Sequence, residues 1–174
     1  MALDGVIAEH MAAETRRCER IASTYLAMAS ADPGTAAAAR VISKYGIPAV
    51  TATIRAYRDD DSTVLPSSVF AWLSVTLAIT EVRDAAWSQM DPAHAAAHQR
   101  LWTDLLRRAQ PGYVTAPAAL LAFTAWQAGD IVLAGAALDR AQADNPDDSM
   151  AQIFRTALAA GIPPHLAVPP SFPG

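Results

Sequence analysis

The sequence has a single cysteine, Cys18, which excludes a disulfide within the chain and any cysteine cage for a metal. Lysine is equally scarce. Lys44 is the only one, so the positive charges are otherwise arginines. Thirteen basic residues face 17 acidic ones, and the net charge of −4 leaves no domain-wide basic footprint for nucleic acid. With only eight glycines and four histidines, the chain offers few parts for catalysis. It has no glycine-rich phosphate loop, no GxSxG elbow, no HExxH and no paired-carboxylate signature. The composition therefore points away from an enzyme and calls for no metal and no cofactor. Long apolar runs are missing too. The strongest, Val69 to Ile79, falls well short of the about 20 residues that span a bilayer. Met1 to Met11 carries acidic residues where a secretory leader needs basic ones. These absences predict a cytoplasmic chain with no membrane contact.

What is present is apolar and helical in character. The 174 residues amount to one domain, with 52% hydrophobic and only 17% charged residues, which argues against disorder. More than a fifth of the chain is alanine, the strongest helix former, whose small side chain also lets helices approach closely. Proline and glycine punctuate the rest. In "ASADPGTAAAARVISKYGIP", Asp32 and Pro33 start a helix, Gly46 closes it and Pro48 opens the next. This predicts helices near 4–29, 33–44 and 48–58. "RDDDST" reads as a loop, because three aspartates oppose the dipole at a helix C-terminus. One helix is expected from Ser67 to Trp87. Another starts at Asp91-Pro92, carries Leu101, Trp102, Leu105 and Leu106 on its apolar side, and stops before Pro111-Gly112. No stretch alternates like a strand bounded by tight turns.

The segment from Leu120 to Asp148 has the spacing of a tetratricopeptide helix pair at Leu121, Ala122, Gly129, Ala134, Leu138, Ala141 and Pro146. Gly129 closes the first helix, Asp130 caps the second and Pro146 stops it. Ser149 and Gln152 have capping-box spacing for a further helix, which Gly161 and Pro163 end. The large aromatic usual in the first helix is replaced by Ala118 and Ala125, and no second copy lies upstream. The expected architecture is thus all-α. It is a single-domain bundle of about seven or eight helices over residues 1–164, with a tetratricopeptide-like part at 116–160. A proline-rich tail at 165–174 is expected to be extended or disordered.

The ordered motifs "EVRDAAW", "LWTDLLRRAQPGYVTAPAALLAFTAWQAGD", "AGAALDRAQADNPDDSMAQIF" and "ALAAGIPP" resemble the C-terminal half of an actinobacterial domain-of-unknown-function family, number 4192. The likeness is best over 65–164, roughly from Val69 to Pro164, and fainter over residues 1–60. It implies that larger members carry an N-terminal portion this chain lacks. It implies a lineage and a fold, and no reaction.

Six residues stand out as candidates for binding a ligand or partner: Arg83, Asp84, Trp87, Trp102, Arg107 and Trp126. Arg83 and Trp87 are one turn apart, and Arg83 can also pair with a carboxylate on another helix. The four tryptophans, Trp72 included, suit a core or an interface; Trp102 and Trp126 adjoin polar residues and are the stronger interface candidates. Arg107-Arg108 is a short basic step. Asp91, His94 and His98 share one helix face, a spacing that metals use, but no third strong ligand or base accompanies the histidines. Cys18 sits among arginines, which lower a thiol pKa, although a plain helix cysteine suits it better. The reading is a non-enzymatic helical interaction module that binds a protein partner or itself as a homodimer. The alternative is a small-molecule or nucleotide-binding regulatory domain using Arg83, Asp84 and Arg107.

Overall fold

The computed structural model describes residues 2–29 and 35–167. Among these lie eight α-helices, two short 3-10 turns and no strand. The helices are α1 (Ala2–Ala29), α2 (Thr35–Asp59), α3 (Ser67–Leu77), α4 (Thr80–Ser88), α5 (Ala95–Arg108), α6 (Thr115–Gln127), α7 (Ile131–Asp144) and α8 (Ser149–Ala159). The fold is an all-α, single-domain bundle, as the alanine-rich, proline-punctuated sequence implies. The expected Asp32-Pro33 start and the tail from Val168 onward lie outside the described residues.

Two helices organise the packing. In α6 every residue from Pro117 to Trp126 is buried, because "APAALLAFTAW" is apolar all round and α3, α4, α5, α7 and α8 surround it. In α3, Phe70, Ala71 and Leu73 to Leu77 are buried against α1 and α2. One core therefore runs through the molecule, with Trp102, Phe70, Phe154, Leu101 and Leu105 among its fully buried side chains.

The glycine-proline reading of α2 needs correcting. Gly46 does not end a helix and Pro48 does not start one; a single helix runs from Thr35 to Asp59 through both. Gly46 serves close approach instead. A Cβ there would meet Val82 Cγ2 at 2.8 Å and Thr76 Cβ at 3.0 Å. The glycine lets α2 cross directly over the junction of α3 and α4. That junction is the second correction, since the helix expected from Ser67 to Trp87 breaks at Ala78-Ile79. Ile79 turns extended (φ −86°, ψ 124°), and the chain resumes as α4. The break places Val82 against Gly46.

Helix starts follow short-range rules, with one reassignment. Asp91 Oδ1 accepts from the His94 backbone N–H at 3.0 Å, but the first turn it caps is a 3-10 turn, Pro92–His94, ahead of α5. Asp130 accepts from Leu133 N–H and caps α7 after Gly129 (φ 80°) ends α6. The cap of α8 is Asp148, which accepts from Ala151 N–H, rather than Ser149. Gln152 donates to the Pro146 carbonyl instead of closing a capping box. The start of α6 is capped from a distance. Asp144, the last residue of α7, accepts from the N–H groups of Gly112, Val114 and Thr115 and from the Thr115 hydroxyl. Burial pushes the Asp144 carboxyl upward, but these four donors outweigh it and hold it below the usual range. At the other end, Pro164–Leu166 forms a 3-10 turn against α6, so the chain is not extended there.

Candidate functional site

Sequence reasoning placed Arg83, Asp84 and Trp87 close together, and α4 does carry them on adjoining turns. Arg83 is almost enclosed. Its Nε and Nη2 donate to Asp84 Oδ1 at 3.2 Å, and its Nη1 donates to Asp148 Oδ2 at 3.1 Å. The partner from another element is therefore the cap of α8, and among the described residues no ring stacks on Arg83. The guanidinium ties α4 to the start of α8. A cavity of about 330 Å³ opens beside it, lined also by Ser74, Tyr113, Thr115 and Asp144. Its strongest polar groups are already committed. Asp144 caps α6, Arg83 holds Asp84 and Asp148, and Tyr113 Oη donates to Glu19 of α1 at 2.7 Å. Burial and that carboxylate push the Tyr113 phenol up to about 12. This cavity reads as a polar fastening of α1, α4, α6, α7 and α8.

The tryptophans face inward. Trp87 packs edge-on against Phe123 at 5.6 Å and Phe154 at 5.2 Å, and Trp126 meets Phe123 at 6.0 Å. Trp102 is fully buried and Trp126 is 5% exposed, so neither presents a surface. The indole N–H groups of Trp87 and Trp102 are buried without a partner in the described structure. Cys18 is also buried, and desolvation with nearby Glu14 raises its thiol pKa despite Arg17.

The Asp91, His94 and His98 set divides. His94 Nδ1 lies 2.8 Å from Asp91 Oδ1, and its Nε2 lies 3.3 Å from Arg58 Nη2. Donation from Nδ1 to the carboxylate leaves Nε2 as acceptor for Arg58. Burial tends to raise the Asp91 carboxyl, but hydrogen bonds from the His94 ring and backbone, with the nearby Arg58 charge, hold it low. His98 is buried instead. It is 1% exposed, its Nε2 has no partner, and burial pulls its pKa down to about 4. Among the described residues no three histidine, cysteine or acidic side chains cluster in a way that holds a metal.

Arg107 leads to a different surface. It lines an open groove of about 630 Å³ that runs along one face of α5. Gln99, Thr103 and Arg107 follow one another at single-turn steps along it. Tyr57, Asp61 and Thr63, and Leu133 of α7, line it as well. Ile131 and Val132, just before Leu133, are 52% and 84% exposed. Here some groups are committed and others are not. Arg100 donates to the Tyr57 and Asp61 carbonyls and pairs with the Asp61 carboxylate at 2.9 Å. Tyr57 Oη donates to Asp104 Oδ2 at 2.8 Å; burial and that carboxylate raise the phenol's pKa well above the usual range. Gln99, Thr103 and Arg107 have no side-chain hydrogen bond, ion pair or ring contact among the described residues.

A family model matches residues 2–165, that of the domain of unknown function DUF4192. The chain belongs to the DUF4192 family. No match was found among curated proteins or solved structures. The match begins in α1, so this DUF4192 domain includes the N-terminal helices where the sequence resemblance was faintest. The groove of the DUF4192 domain contains residues that sequence reasoning passed over, namely Gln99, Thr103, Asp104 and Tyr57. The signal for Gln99, Thr103 and Asp104 was the polar stripe of α5, which any amphipathic helix has, while Tyr57 lies buried on α2.

Proposed function

We propose that this protein is a non-enzymatic helical interaction module that holds a segment of a protein partner, or of a second copy, in the groove along α5. One observation carries the reading. Gln99, Thr103 and Arg107 line a groove of about 630 Å³ with their hydrogen-bonding groups unpaired among the described residues, and apolar Leu133 of α7 lines it too. Unspent donors beside an apolar rim are what a partner needs for both affinity and orientation. The tetratricopeptide-like spacing of α6 and α7 fits this role, with α6 holding α5 rigidly from behind. No helix among the described residues is long and apolar enough to cross a membrane, which is compatible with a cytoplasmic setting. The regulatory-domain alternative has less support. Arg83 and Asp84 are tied to each other and to Asp148, and Arg107 lines a different groove.

The test is a photo-crosslinking amino acid placed at Gln99 or, as a control, at exposed Arg140 of α7, in the native cell. A crosslinked product from position 99 only, abolished by Thr103→Trp, is the expected result. Equal crosslinking from both positions, or none from position 99, refutes the reading.

A further inference from the structure

The end of α2 meets the turn ahead of α5 through a contact that depends on protonation. His94 Nδ1 lies 2.8 Å from Asp91 Oδ1, and the same oxygen accepts the His94 backbone N–H at 3.0 Å. Asp91 therefore anchors the ring through Nδ1, with that nitrogen as the donor. A neutral imidazole that carries its proton on Nδ1 has a lone pair on Nε2. Arg58 Nη2, from the last turn of α2, lies 3.3 Å from Nε2. A guanidinium has donors and no acceptor. This hydrogen bond therefore exists only while Nε2 is unprotonated.

A second proton on His94 reverses the contact. Nε2 then turns a donor toward a donor, and two cations stand side by side. Asp91 faces both of them, since Arg58 Nη1 is 3.9 Å from its Oδ2. Proton uptake strengthens the charge-assisted bond between His94 and Asp91 and removes the acceptor that holds Arg58. The side chains of Arg58, Asp91 and His94 are 37–39% exposed, so the guanidinium is free to swing into water. His98, one turn further along α5, does not compete for the proton. It is enclosed, the charges acting on it are those of Asp91, Arg58 and His94, and burial pulls its pKa down to about 4.

Other ties at this end of α2 are indifferent to histidine. Arg100 donates to the Tyr57 and Asp61 carbonyls, and Tyr57 Oη donates to Asp104. The helix therefore stays attached to α5 when the His94 contact is lost, and the response is confined to its last turn.

We propose that Arg58, His94 and Asp91 form a proton-sensitive latch between the end of α2 and the 3-10 turn ahead of α5, closed while His94 is neutral and open once it is protonated.

Two-dimensional NMR of the 15N-labelled full chain tests the latch, titrated from about pH 8 to pH 5, the range over which histidine changes charge. At the upper end the His94 ring should carry its proton on Nδ1. As the ring takes its second proton, the Arg58 side-chain N–H signal and the backbone amides of the last turn of α2 should shift along the same curve. In Arg58→Met the ring should still titrate, but the α2 amides should no longer follow it. His94→Gln offers Arg58 an acceptor that takes up no proton, and there the α2 amides should stay still. Both substituted side chains are more than a third exposed, so the fold is retained, which the dispersion of the spectra verifies. A ring proton on Nε2 in the neutral form, an α2 end that does not move with His94, or a response that survives in either variant overturns the proposal.

Discussion

Gly46 and Gly135 both sit inside helices, yet the same substitution should act on them with opposite sign. In α7, a Cβ added at Gly135 meets nothing within 4 Å. Gly135→Ala should therefore gain only what alanine gains over glycine in a helix, about 0.5–1 kcal/mol. In α2, a Cβ at Gly46 meets Val82 Cγ2 at 2.8 Å, Thr76 Cβ at 3.0 Å and Val82 Cγ1 at 3.3 Å. Neither neighbour yields easily. Val82 and Thr76 are both fully buried and β-branched, so each has little rotamer freedom. Overpacking of this kind costs about 1–3 kcal/mol. Subtracting the propensity gain leaves Gly46→Ala less stable by about 0–2.5 kcal/mol, near 1 at the middle of that range. For a chain of this size a loss of about 1 kcal/mol is a fall in Tm of about 2–4 °C.

Tryptophan fluorescence during urea unfolding measures both variants, since the tryptophans report on the core. Val82→Ala removes both contacting methyl groups and by itself costs about 1–3 kcal/mol in lost burial. In combination with Gly46→Ala it should cost less than the sum, with about 1 kcal/mol or more of favourable coupling. If Gly46→Ala stabilises as Gly135→Ala does, or the double variant is simply additive, α2 does not cross the α3–α4 junction as closely as described.

Two more outcomes follow from buried polar groups. His98 has a folded pKa of about 4 against an ordinary value of 6.5. Between these values the unfolded chain binds the extra proton, so His98 stabilises the fold above pH 6.5 and progressively less as pH falls toward 4. The gap is worth about 3 kcal/mol, and His98→Asn should flatten that part of a stability-against-pH curve; an unchanged slope between pH 6.5 and 4 rejects it. Arg83→Met leaves Asp84 and Asp148 enclosed without their cation, at a cost of about 3 kcal/mol. Chemical denaturation that finds less than about 0.5 kcal/mol would reduce this triad to an ordinary surface ion pair.

What the sequence disclosed and what it hid can be traced to particular residues. Asp130, Gly129, Gly161 and Asp91 act within a few residues of themselves, and local rules found them. The apolar faces of α5 and α6 were legible because periodicity reports burial directly. Gly46 was misread because a glycine that ends a helix and a glycine that admits a neighbour look alike until Val82 is placed against it. The break at Ile79 is hidden for a different reason, since no proline or glycine marks it. Asp144 lies about 30 residues from the amides it caps, beyond the reach of any local rule.

The same distinction separates the two polar regions as candidates for function. Arg83 attracted notice because an arginine beside an aspartate and a tryptophan is chemically rich, but its donors end on Asp84 and Asp148. A polar group that has found its partner inside the molecule stabilises the molecule and has little left to offer a ligand. Gln99 and Thr103 attracted no notice because uncharged polar residues on a helix surface are ordinary. They gain meaning only once they line a groove with Tyr57, Asp61 and Leu133 and stay unpaired among the described residues beside Arg107. Sequence reveals which groups a chain owns. The fold decides which of them remain unspent, and in this bundle those lie along α5 rather than beside Arg83.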